Sequence, residues 1–158
     1  MGARAEQEAL VTADQLKSQA IQALRQGDFG QTTTLLDRAA QLSKDPQVTQ
    51  MAEWVRAFEQ QRKEFAAQRK SEFDKEVEHV QLLLKNGKDS YAIDYASRAY
   101  LLAEDKDAYR KLGWVDKLVK QSIELARQYE AGQQWFKAMR IYSDLGVIEP
   151  AVPEWKEH

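Results

Sequence analysis

The chain has 158 residues, two histidines, no cysteine and a formal net charge of -2. That balance excludes a disulfide framework and thiolate chemistry, and it leaves no field that would draw phosphate backbones, so nucleic acid is not an expected partner. Hydrophobic residues make up 43% and charged residues 30%, with only seven Gly and three Pro, the balance of a helical, soluble chain, and no apolar run approaches the roughly 20 residues of a membrane span.

In chain order, the first predicted helix runs from about Ala5 to Gln26 with Leu10, Leu16, Ala20, Ala23 and Leu24 on one stripe. Gly27 stops it, and Asp28 is the expected N-cap of a second helix whose Leu35, Leu36, Ala39 and Leu42 face back onto the first. Lys44-Asp45-Pro46 ends that helix, because the residue before proline avoids helical backbone. The third helix meets no breaker between Gln47 and Asn86, which predicts a rod of about forty residues and about 60 Å. Its apolar residues crowd the two ends, Val48, Met51, Trp54, Val55 and Phe58 at one and Val77, Val80, Leu83 and Leu84 at the other. Between them Phe65 and Phe73 stand almost alone. The stripe Phe58, Phe65, Phe73, Val80 is closer to a coiled-coil seam than to a broad core face. Phe58, Phe65 and Phe73 therefore form a candidate association seam, to be covered by the fifth helix, by a second copy of the chain as a homodimer, or by a partner.

Gly87 closes the rod, and a fourth helix carries Tyr91, Ala92, Tyr95, Ala96, Ala99 and Leu102 to about Glu104. The fifth is predicted over Asp107 to Ala131, with Leu112, Val115, Leu118, Val119, Ser122, Ala126 and Tyr129 on a continuous face. After Gly132 a sixth helix, about Gln134 to Gly146, presents Trp135, Ala138, Met139, Tyr142 and Leu145 before Pro150. Val152-Pro153-Glu154-Trp155 reads as the start of a further helix, and the expectation is a piece of a longer protein. Trp54, Phe58, Trp114, Trp135 and Tyr142 sit at helical spacing and are expected in the core.

Three stretches superpose: Leu24-Arg25-Gln26-Gly27-Asp28-Phe29, Leu84-Lys85-Asn86-Gly87-Lys88-Asp89 and Tyr129-Glu130-Ala131-Gly132-Gln133-Gln134. Each closes one helix and opens the next, so the chain reads as one all-α domain of three hairpins, about 5–45, 47–104 and 107–149. In the last of these, Leu125, Ala126 and Tyr129 followed by Trp135, Ala138, Tyr142 and Pro150 resemble the tetratricopeptide repeat. The first hairpin matches through Leu16, Ala20, Thr32, Leu36 and Ala39, and the second through Ala92, Ala96 and Ala99. The turns lie 60 and then 45 residues apart, against a tandem period of about 34, so the units are TPR-like rather than regular. The resemblance implies a right-handed stack of about six helices that binds a protein or peptide partner on the face made by first helices. The matching positions there are Lys17 and Ile21, and Ile123 and Arg127. The amides with which such repeats clamp a C-terminal carboxylate are missing, which leaves Lys17 and Arg127 to meet acidic ligands or simply to line the groove. Separately, Glu64-Phe65-Ala66-Ala67-Gln68-Arg69 on the long helix is similar to helical N-terminal regions of bacterial tail-specific proteases. That resemblance implies the alternative of a non-catalytic accessory region of a larger enzyme.

Catalytic material is sparse, with no Ser-in-glycine elbow, no phosphate-cradling glycine loop and no pair of histidines at metal spacing. Glu76-x-x-His79 matches the pair that di-iron carboxylate bundles place on a helix, and only a homodimer would complete such a site. The expectation is therefore a protein without enzymatic activity, metal or cofactor, and with its compartment open. Arg62-Lys63 and Arg69-Lys70 alternate with Glu59, Glu64 and Glu72, a pattern of intrahelical pairs on a solvated rod.

Overall fold

A computed structural model describes residues 2–150, and these contain helix and no strand. The elements are α1 (Gly2–Arg25), α2 (Phe29–Ser43), α3 (Pro46–Lys85), α4 (Asp89–Leu102), α5 (Lys106–Arg110), α6 (Gly113–Ala131) and α7 (Trp135–Ile148). The helix expected at Val152–Trp155 lies outside the described residues. None of the described helices is long and apolar enough to cross a membrane.

The three predicted turns share one hydrogen-bond pattern. Asp28 N–H donates to the Ala23 carbonyl at 2.9 Å and Gly27 N–H to Leu24 at 3.0 Å; Lys88 donates to Leu83 at 2.9 Å and Gly87 to Leu84 at 3.1 Å. This paired closure needs a left-handed residue just past the helix, and Gly27 and Gly87 supply it at φ 77° and 68°. The third turn makes the same bonds one residue later than the glycine predicts: Gln134 N–H donates to Tyr129 at 2.8 Å and Gln133 to Glu130 at 2.9 Å. There Gln133 takes the left-handed position at φ 60°, while Gly132 stays at φ -82°. Asp28 caps α2 by accepting from the Gln31 N–H at 3.0 Å, as its sequence position predicts. Lys88 and Gln134 stand at the equivalent positions without a side-chain cap.

The chain divides into two compact units between Phe65 and Ala66, within α3. In the first unit Ala13 and Ala20 of α1, Leu36 and Ala39 of α2, and Val48 and Ala52 of α3 form one core. The alanines let the backbones of α1 and α2 approach closely, which removes apolar surface from water with few large side chains. Thr32 is also buried, and its hydroxyl is satisfied by the Asp28 carbonyl at 2.7 Å.

In the second unit Val80 of α3, Ala92, Ile93, Ala96 and Ala99 of α4, and Ala126, Ala138, Ile141, Tyr142 and Leu145 of α6 and α7 share a larger core. The predicted fifth helix is broken here. Lys111 closes α5, Leu112 is extended at ψ 131° and α6 starts afresh at Gly113. A continuous helix would aim Tyr109 about 120° away from the face that carries Val115, Leu118 and Ala126. Breaking the helix turns Tyr109 inward, where its hydroxyl donates to the Ala96 carbonyl at 2.8 Å and its ring meets Phe73 and Trp114 edge-on at 5.9 and 5.7 Å. Leu112, expected on the apolar face, is exposed instead.

Candidate functional site

The first unit buries mainly alanines together with Leu36 and Val48, and leaves several larger side chains outside. Trp54 is 80% exposed and Phe58 53% exposed, against their expected place in the core. The same correction applies to Trp135 of the second unit, at 63%. Tyr142 is buried as expected, and Trp114 is partly buried against the second core. Helical spacing marks a face as apolar but does not say whether anything covers it.

On α3, Met51, Trp54, Phe58, Gln61 and Phe65 follow one another at alternating steps of three and four, which places them on one stripe. On α1, Lys17, Ile21 and Leu24 do the same. Between these stripes lies a groove of about 420 Å³ lined by Leu24, Trp54, Val55, Ala57, Phe58 and Gln61. Its position follows from the alanine core, since Ala20 and Ala23 pull α1 inward while Ile21 and Leu24 remain on the outer edge. Against Phe58 of the groove a second ring packs at a tilt of 50°. Phe29, at the start of α2, lies 5.7 Å from Phe58, and the Arg62 guanidinium sits 4.8 Å over Phe29. On the α1 stripe Lys17 pairs with Asp14 at 2.7 Å, and that hydrogen bond raises the lysine pKa.

The sequence-predicted binding residues are split between the units. Lys17 and Ile21 stand on the α1 stripe that continues to Leu24. Ile123 packs against the second core, and Arg127 is an exposed residue of α6 that has an interaction partner. Of the three seam phenylalanines, Phe58 lines the groove and Phe65, 60% exposed, follows it along the stripe. Phe73 packs in the second unit against Tyr109 of α5. Leu24, Trp54, Val55 and Gln61 were not among the predicted site residues. The three-four spacing from Met51 to Phe65 signals Trp54 and Gln61 in the sequence, and the same spacing from Lys17 through Ile21 signals Leu24; Val55 falls on neither stripe.

A second hollow, about 440 Å³, lies in the second unit and is lined in part by Arg69, Phe73, Leu102, Tyr109 and Leu112. Arg69 is committed to structure, since its guanidinium donates to the Leu102 and Ala103 carbonyls at 3.1 and 3.3 Å and so caps the last turn of α4. Burial pushes the Tyr109 phenol up, so it stays protonated as a donor. Glu76 and His79 approach to 3.9 Å, and the imidazole packs edge-on against Tyr95 at 5.2 Å. Among the described residues no group of three or more His, Cys, Asp or Glu is arranged to hold a metal ion.

No family model matches this chain, and no curated protein or solved structure does either.

Proposed function

We propose that the chain is a non-catalytic protein-protein interaction module of tetratricopeptide-like type, which receives a segment of a partner protein in the groove between α1 and α3 of its first unit. The observation that carries this reading is the exposed pair Trp54 and Phe58, in line with Leu24 across a groove of about 420 Å³. Leaving two large aromatics in water while alanines fill the adjacent core forgoes several kcal/mol of burial energy, and contiguous apolar surface of this kind marks interaction sites on monomeric proteins. The repeat-like reading is supported by the shared turn geometry and by buried small residues at the matching positions Ala20, Ala39, Ala96, Ala99, Ala126 and Ala138. The groove lies against α1 and α3, the first helices of successive hairpins in that reading, which is the face such repeats use.

A displayed library of helical and extended peptides, panned against the parent chain and against a Trp54→Ala, Phe58→Ala variant, tests the reading. The expected result is a peptide set enriched on the parent and lost on the variant. Enrichment that is indifferent to the two substitutions would place binding elsewhere.

A further inference from the structure

We infer that the occupant of this groove is an amphipathic helix whose apolar stripe is flanked by acidic residues on one side and basic residues on the other; this rests on the binding role just proposed. The stripe from Met51 to Phe65 spans two heptads, or about 21 Å along α3. With Ile21 and Leu24 it exposes on the order of 600 Å² of apolar surface. That is close to the roughly 800 Å² that each partner contributes to a stable interface, and a helix of four turns covers it. The three-four spacing of this floor is the spacing at which a second helix presents its own side chains.

The rims supply the charge pattern. Among the described residues, Arg25 and Arg62 have no acidic partner within ion-pair distance, whereas the nearby Glu59 is held by Lys63 at 3.1 Å. Arg25 follows Leu24 on α1, and Arg62, seven residues after Val55 and so within about 20° of it around α3, falls on the flank of the stripe that packs toward the α1–α2 core, its guanidinium over Phe29. At about 100° per residue, Glu53 and Glu64 fall on the opposite flank of the Trp54–Phe58 stripe from Arg62. Glu64 accepts a hydrogen bond from the neutral Gln60 at 2.8 Å, and among the described residues neither Glu64 nor Glu53 has a cation within ion-pair distance. One rim is therefore cationic and the other anionic. A helix with unlike flanks satisfies both rims in a single direction, whereas uniformly acidic or basic flanks always meet one like-charged rim.

The test uses three labelled 18-residue helices with the same leucine stripe, flanked by Glu and Lys, by Glu alone, or by Lys alone, titrated by fluorescence anisotropy at low salt. Light scattering at the same concentrations reports the oligomeric state. The expected result is a monomeric chain that binds the mixed helix about five- to ten-fold more tightly than either uniform one, with binding lost in Trp54→Ala. Arg25→Glu, a change at an exposed side chain that leaves folding intact by circular dichroism, should shift preference toward the all-Lys helix. If the three helices bind equally and all depend on Trp54, the groove takes a helix but the charge inference fails. If none binds, or binding survives Trp54→Ala, the groove reading fails with it. A dimer that Trp54→Ala converts to monomer would overturn the inference by assigning the groove to a second copy.

Discussion

Asp144 sits part-buried on α7 with its Oδ2 out of water and without a hydrogen-bond partner. Burial, reinforced by the Asp94 carboxylate on α4, pushes its pKa up to about 6 against the opposing pull of Arg140 on α7 and Arg98 on α4. A carboxyl with a raised folded pKa holds its proton more tightly in the fold than in the unfolded chain. The stability gained from that proton is full below about pH 4 and lost as pH rises through the folded value. Thermal melts should therefore show Asp144→Asn more stable than the parent at pH 7.5, by about 1–2 kcal/mol, because water still reaches part of the group and screens the full effect. The two proteins should converge near pH 4, and an equal gain at both pH values would remove burial of the charge as the cause. The third turn gives a second prediction at this scale. Gln133 holds a left-handed conformation that costs a residue with a Cβ more than it costs glycine, so Gln133→Gly should raise stability by about 0.5–1 kcal/mol in denaturant unfolding, and Gly27→Ala should lower it by a similar amount. The turn's existence was legible from its glycine. Its register was not, because the hydrogen bonds that close the helix tolerate a glutamine where the first two turns use glycine.

The break between α5 and α6 shows what periodicity alone can miss in an element. From Asp107 to Ala131 the apolar spacing is good enough for one helix, although Gly113 lies inside that span. What decides the matter is Tyr109, a residue whose ring and hydroxyl both find partners only if the helix is interrupted. Tyr109→Ala should cost about 3–5 kcal/mol of stability, while Leu112→Ala, which a continuous helix would bury, should cost under about 1 kcal/mol. Equal losses at the two positions would contradict the break. The long helix was legible almost to the residue, since nothing between Pro46 and Lys85 interrupts it. Its exposed middle is laced by pairs such as Lys63–Glu59 at 3.1 Å and Lys70–Asp74 at 2.7 Å, the spacing that the alternating charges predicted.

Across the whole molecule, fold class was the most readable property, because few breakers and repeated turn signals leave little room for anything but helical hairpins. The site was less readable. Lys17 and Ile21, marked in the sequence by their place on a first helix, stand on the stripe that leads to the groove, but the spacing of Trp54 is that of a core residue. Exposure depends on what the neighbouring helix brings to the contact, and here that neighbour brings alanines. The α1–α3 groove of the first unit is proposed to receive a partner helix. Amide shift mapping of the ¹⁵N-labelled chain, titrated with the mixed-charge helix, tests it most directly. The predicted result is perturbation concentrated at residues 17–25 and 51–65, with the amides of α6 and α7 unmoved. Perturbation centred on α6 or α7, or none at saturating helix, would contradict it.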